Sequence, residues 1–117
     1  MKKQEEKAMK IVFDEIEKTV IPNFKGGEKE FSTHMFTDSM CKIMRGTLEK
    51  GASIGLHTHE TSSEMIFILE GEGTVLYDGE TEILPKGSCH YCPKGHTHSL
   101  MNKNDAPLVF FAVVPEQ

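Results

Sequence analysis

The sequence predicts an all-β domain, and three observations lead to that prediction. Short runs of strand-forming residues follow one another from residue 30 to the end, turn residues separate them, and helical periodicity is nearly absent. Asp78-Gly79, between two such runs, is typical of a tight hairpin. Many short strands at this spacing are typical of a sandwich or a barrel.

Glycine and proline set the limits of the predicted elements. Pro22 and Gly26-Gly27 end an N-terminal segment, so we expect residues 1–28 to form an arm and residues 29–117 to form one β-domain. Further turn signals within that domain include Gly51, Gly71 and Pro85-Lys86-Gly87. The predicted strands are 30–37, 40–48, 54–59, 64–70, 73–77, 81–84, 89–92, 97–102 and 108–114.

Composition excludes some classes of partner. The chain has 117 residues, 38% of them hydrophobic and 26% charged, which suits one soluble domain. Its net charge is −5 and Arg45 is its one arginine, so it lacks the basic face that nucleic acids or an anionic membrane surface would require. Lys2 and Lys3 are followed by polar residues rather than by the apolar stretch of a secretory signal. We therefore expect a cytoplasmic protein.

The three cysteines, Cys41, Cys89 and Cys92, favour reduced thiols over a disulfide framework. Cys89 and Cys92 form a C-x-x-C pair, which could bind zinc or carry out redox chemistry. A zinc site of this kind needs a second ligand pair, and a redox pair usually opens a helix, whereas this one lies in a strand-like run. The favoured interpretation is a strand with one or both thiols packed.

Three histidines and a glutamate have a spacing that suits a metal site. His57 and His59 would leave one face of a strand about 7 Å apart. Glu64 begins the next strand, where antiparallel pairing can bring its carboxylate beside them, and His98 comes from a later strand. These ligands suit one divalent ion of manganese, iron, nickel, zinc or copper and leave one or two coordination positions open.

Two glycine-framed motifs contain these residues, and through them the chain resembles the cupin family, in particular its small, single-domain, oxalate-decarboxylase-like members. The resemblance implies a double-stranded β-helix, or jelly-roll barrel, with a metal held by His57, His59, Glu64 and His98. It is also compatible with a homodimer. The motifs are Gly51-x5-His57-x-His59-x4-Glu64-x6-Gly71 and Gly87-x5-Pro93-x-Gly95-x2-His98-x3-Asn102.

Three other residues are candidates for contact with a substrate: Arg45, His96 and Tyr91. Alternation along its strand places Arg45 on the less charged face, which favours an inward side chain that could hold a carboxylate. The alternative, a surface arginine paired with an acid, is slightly favoured over this. His96 shares its strand parity with His98, although a solvated loop histidine is an equal alternative. We expect His34 and His90 at the surface or at the rim of the pocket, without a role.

Two functions remain open at this stage. One is a small metalloenzyme acting on an oxygenated acid, and the other is a non-catalytic module that binds or senses a small molecule, possibly a carboxylate, through the metal. Homodimerisation is expected because the arm and the outward-facing Met65, Phe67 and Leu69 need apolar cover.

Overall fold

The computed structural model describes residues 9–117, which form ten β-strands and two 3-10 turns at Phe13–Glu15 and Phe24–Gly26. The strands are β1 (Thr19–Pro22), β2 (Glu30–Thr37), β3 (Cys41–Leu48), β4 (Ser53–Thr58), β5 (Glu64–Glu70), β6 (Gly73–Tyr77), β7 (Glu80–Leu84), β8 (Cys89–Cys92), β9 (Thr97–Met101) and β10 (Leu108–Pro115).

The strands form two antiparallel sheets that enclose one core. One sheet has the order β1-β2-β3-β10-β5-β8, and the other has the order β4-β9-β6-β7. Strands that follow one another in the chain often lie in different sheets, as in a jelly roll. The all-β jelly-roll prediction is confirmed, and each predicted strand is present with bounds within one residue of those expected.

Alternation along the strands places the core between the sheets. In β5, Glu64, Ile66 and Ile68 are buried, while the residues between them are exposed or half-buried. In β10, Leu108, Phe110 and Ala112 are likewise buried. One face of each of these two strands therefore lines the interior, as the period of two requires.

The segment before β2 packs against the domain. β1 pairs with β2, from Thr19 opposite Thr33 to Pro22 opposite Glu30. The chain around the second 3-10 turn lies so close to β4 that a Cβ on Gly55 would be 2.0 Å from the Lys25 carbonyl oxygen. Residues 1–8 of the expected arm lie outside the described residues, and a domain boundary at residue 28 stays a prediction.

Asn102 connects the loops at one end of the sheets. Its side-chain amide donates hydrogen bonds to the Leu48 carbonyl at 2.8 Å and to the Ala106 carbonyl at 2.9 Å. Its own oxygen accepts a bond from the Asn104 amide at 2.9 Å. The buried Asn102 therefore satisfies backbone groups of two loops. Among the described residues, no helix is long and apolar enough to span a membrane.

The outer surface of the six-stranded sheet carries exposed aromatic side chains. Phe67, Tyr91 and Phe111 are 43%, 54% and 36% exposed, and Phe67 lies directly opposite Phe111 in the sheet. Phe13 stacks on Phe111 with ring centroids 5.2 Å apart, so the N-terminal segment covers only part of this surface. We call Phe67, Tyr91 and Phe111 the outer apolar face. The expected outward orientation of Phe67 is confirmed.

Candidate metal centre

The two sheets bring four candidate ligands to one point. His57 in β4 and His98 in β9 are direct neighbours across the four-stranded sheet. His59 follows β4 immediately, and its backbone N–H donates to the His96 carbonyl at 3.1 Å. Glu64, the first residue of β5, comes from the six-stranded sheet. One ligand atom from each of the four residues lies within 4.8 Å of the others.

A β-bulge in β4 aims His57 into this space. Ile54 pairs with Leu100 and His57 pairs with His98, so β4 contains one residue more than β9 over this stretch. The extra residue lets Ile54 and His57 both face the interior, although they are three positions apart. It also places the Gly55 carbonyl 2.7 Å from His57 Nδ1.

Each of the three imidazoles has a hydrogen-bond partner on the side away from the cluster. His57 Nδ1 donates to the Gly55 carbonyl, which can only accept. The proton of neutral His57 therefore lies on Nδ1, and its Nε2 is unprotonated. His59 Nδ1 lies 3.1 Å from Ser62 Oγ. His98 Nδ1 lies 3.0 Å from His90 Nε2. The Nε2 atoms of all three rings therefore point inward.

The inward-pointing atoms are closely spaced. His59 Nε2 lies 3.2 Å from His57 Nε2 and 2.9 Å from His98 Nε2. Glu64 Oε1 lies 3.1 Å from His59 Nε2 and 3.0 Å from His98 Nε2. Nitrogen ligands about 2.1 Å from one ion and at right angles to each other would be about 3.0 Å apart. The donor set and its spacing therefore fit one divalent transition metal ion.

The charge states of these groups suit the same role. Burial alone would raise the pKa of Glu64, but hydrogen bonds that His59 and His98 donate from Nε2–H groups while no metal occupies that position outweigh burial and lower that pKa to about 2. Glu64 is therefore a carboxylate at neutral pH. Burial lowers the pKa of His57, which favours the neutral imidazole that a metal requires.

A cavity of about 390 Å³ opens above these four side chains. Its mouth is lined by exposed charged groups that include Lys25, Lys42, Glu60 and Glu116. Its wall is apolar, and the side chains that form it come from both sheets: Met35, Met44, Ile54, Ile66, Leu100 and Val114. Its volume places the cavity at the small end of the size range of ligand pockets.

Of the two orientations considered for Arg45, the inward one is wrong. Met44 and Gly46 are the buried neighbours of Arg45 in β3, and Arg45 lies on the outer side, where its guanidinium pairs with Asp14 at 2.5 Å. Gly46 is on the inward side of the strand, where the rings of Phe31 and Phe110 fill the space that a side chain would need. A Cβ at this position would lie 2.6 Å from both rings. The alternative, a surface arginine paired with an acid, is confirmed.

His96 and Tyr91 are not brought to the cavity. His96 Nδ1 lies 2.6 Å from the Asp78 carboxylate and 3.2 Å from the Tyr77 hydroxyl, away from the cavity wall. Tyr91 is 54% exposed on the outer apolar face. Neither residue can contact a ligand held at the four-residue cluster in this arrangement.

His90 is the residue of the site that sequence analysis missed. It was expected at the surface or at the rim, but only 6% of it is exposed, and it contacts His98 directly. Burial, followed by the effect of His98, lowers the pKa of His90 to about 4, so this ring is neutral. The alternation Cys89 out, His90 in, Tyr91 out, Cys92 in confirms the strand interpretation of the C-x-x-C pair.

The jelly roll and its His/Glu cluster define a class, and comparison with known proteins identifies it. The profile of the cupin domain family matches residues 44–114. The chain belongs to the cupin family. It is also 30% identical over 100 residues to an oxalate-binding protein of Thermotoga maritima, a match that covers 80% of this chain and 83% of that protein.

Solved structures agree with this assignment. The crystal structure of a predicted oxalate decarboxylase from Thermotoga maritima superposes with a TM-score of 0.87 at 29% identity, covering 93% of this chain and 100% of that one. A sugar phosphate isomerase of the cupin superfamily from Silicibacter pomeroyi gives a TM-score of 0.75 at 25% identity, covering 93% and 76%.

Metal content tests the ligand set. Protein purified without a chelator should contain about one divalent transition metal ion per chain, measured by elemental analysis. His57→Ala and His98→Ala should each lose most of that metal, because each removes one converging nitrogen. His96→Ala, which alters a histidine outside the cluster, should retain it. Wild-type metal content in both ligand variants would show that the metal binds elsewhere.

Proposed function

We propose that the protein binds a small dicarboxylate through one divalent transition metal ion, with His57, His59, Glu64 and His98 as the ligands. The cavity carries this proposal, because it ends on these four side chains and has room for a small molecule only. A 30% identical relative is an oxalate-binding protein, and oxalate is the smallest dicarboxylate.

The chemistry of the cavity suits an anionic ligand. A bound ion would supply a positive charge and Lewis-acid positions for carboxylate oxygens. The apolar part of the wall, which includes Ile54, Ile66 and Leu100, lowers the local dielectric constant and so strengthens the attraction between that charge and an anion. Because Glu64 is the one acidic side chain buried in the lining, an ion with neutral histidines would keep a net positive charge.

Lys42 is the group that we propose for the second carboxylate. It lies in β3 on the same side as Met44, so its stem lines the cavity and its ammonium reaches the mouth. Among the described residues, Lys42 forms no ion pair. Lys25 also lines the mouth, but its ammonium lies over the Phe24 ring, 5.5 Å from the centroid. Lys42 therefore takes the role that sequence analysis gave to Arg45.

The lining favours binding over turnover. Decarboxylation or isomerisation needs a group that transfers a proton at the reacting carbon. Apart from the four cluster residues, the titratable side chains that line the cavity are Lys25, Lys42, Glu60 and Glu116, and all four are exposed at the mouth. The inner wall offers no acid or base, so we propose a binding or sensing role.

Calorimetry with metal-loaded protein tests whether Lys42 binds the second carboxylate. Lys42→Met should weaken oxalate or malonate binding about fivefold, since an exposed ion pair contributes up to about 1 kcal/mol. Acetate, which has one carboxylate, should bind equally to wild type and variant. Arg45→Met, on the outer side of the same strand, is the matched control and should bind like wild type.

Two results would contradict the proposal. Equal dicarboxylate affinity in wild type and Lys42→Met would remove Lys42 as the anchor. Release of formate or carbon dioxide from oxalate by the metal-loaded protein would show turnover instead of binding alone.

We also propose a homodimer formed through the outer apolar face. Phe67, Tyr91 and Phe111 expose large apolar surfaces on adjacent strands, and a second copy of this face would cover them. The remaining Phe13 contact leaves more than a third of Phe111 accessible.

Light scattering after size exclusion tests the dimer. The wild type should have twice the chain mass, and Phe67→Glu should be monomeric because it places a charge in the interface. Ile83→Glu changes a side chain of the other sheet that is 52% exposed, and it should remain dimeric. A monomeric wild type at micromolar concentration, or a dimeric Phe67→Glu, would refute this assembly.

A further inference from the structure

His90 is a buried histidine that lies directly behind a candidate metal ligand. It belongs to β8 in the six-stranded sheet, whereas His98 belongs to β9 in the other sheet, so their contact joins the two sheets. His90 Nε2 lies 3.0 Å from His98 Nδ1, and the exposed fractions of the two residues are 6% and 1%. Buried imidazole nitrogens generally have hydrogen-bond partners, and here each ring provides one for the other.

The packing around His90 fixes its ring. His90 lies opposite Ile66 in the pairing of β5 with β8, so its side chain enters the interior beside that isoleucine. The Tyr77 ring contacts it edge to face, with centroids 5.3 Å apart. The His90 ring therefore has a defined position, in which its Nε2 atom points at His98 Nδ1.

The position of one proton decides what this contact does. If His98 Nδ1 carries the proton and donates to His90 Nε2, the Nε2 atom of neutral His98 is bare and faces the other three ligand atoms. If His90 Nε2 carries the proton instead, neutral His98 must carry its own proton on Nε2, the position that a metal would occupy. A metal-binding His98 thus requires His90 as the acceptor.

We propose that His90 is a positioning residue, which accepts the His98 Nδ1 proton and so holds His98 in the tautomer and orientation that bind metal. This inference rests on the proposed metal site. Ligating histidines generally donate their second ring N–H to a carboxylate, a carbonyl or a water. In this chain a neutral histidine takes that place for His98, as the Gly55 carbonyl does for His57.

A rival arrangement uses the same two histidines differently. His90, Cys92 and His98 form a second cluster of potential ligands, all three buried. Binding there would require the Cys92 thiolate and would take His98 Nδ1 away from His90. The cluster with Glu64 offers four potential ligands instead of three, and the Nε2 atoms of its histidines already lie 2.9 and 3.2 Å from one another. It is therefore the better-prepared site.

Metal affinity tests the role through paired variants. Zinc affinity is measured by competition with a chromophoric chelator. His90→Phe keeps a ring of similar size but removes the acceptor, and it should weaken zinc binding about 10- to 100-fold. His90→Gln offers a side-chain oxygen in its place and should recover most of that loss. Tyr77→Phe keeps the ring against His90 and should bind zinc like wild type, as should Cys92→Ser.

The tautomer provides a readout that does not depend on the variants. Nitrogen-15 spectra of zinc-loaded wild type, with labelled histidine, should show His98 protonated on Nδ1 and His90 protonated on Nδ1 with a bare Nε2. A His90 proton on Nε2 would overturn the proposal, as would unchanged zinc affinity in His90→Phe or no recovery in His90→Gln. Loss of zinc in Cys92→Ser would assign the metal to the second cluster. A wild type without zinc affinity would remove the metal site itself.

Discussion

A neutral imidazole carries one ring proton, and the proposed metal centre depends on where that proton lies in each of its three histidines. The Gly55 carbonyl, Ser62 and His90 each lie at Nδ1 of a different histidine, on the side away from the cluster. With the protons held there, three bare nitrogens and one carboxylate oxygen point at a common centre. Mutual repulsion of such lone pairs would oppose the arrangement, and a cation at the centre would relieve it.

The surrounding fold supplies this geometry through an irregularity. A regular β4 could not direct both Ile54 and His57 inward, and the bulge between these two residues resolves that conflict. Gly55 also lies against the chain at Lys25 and Gly27 too closely for any side chain. The N-terminal segment therefore packs against the strand that positions His57. The same segment also lines the cavity, through Phe24 and Lys25.

Strand periods, turn residues and two spaced motifs were enough to predict the jelly roll and the four residues that converge. Side-chain orientation along single strands was harder to predict, because it depends on pairing. Charge placed Arg45 inward, but the rings of Phe31 and Phe110 need the space left by Gly46, and this fixes the opposite parity. His90 faces inward because it lies opposite Ile66, a register that no local pattern in Cys89–Cys92 reveals. β1 was missed because Pro22, its last residue, and the two glycines that follow it at 26 and 27 were interpreted as the end of an arm, although they connect β1 to β2.

The most direct measurement is anomalous diffraction from crystals of the metal-loaded protein, collected at the absorption edge of the ion. We expect one anomalous peak per chain, from an ion bonded to Nε2 of His57, His59 and His98 and to a carboxylate oxygen of Glu64. A peak between His90, Cys92 and His98, or a peak at the exposed Cys89, would contradict it, as would a cluster that stays without metal in crystals soaked with zinc or manganese.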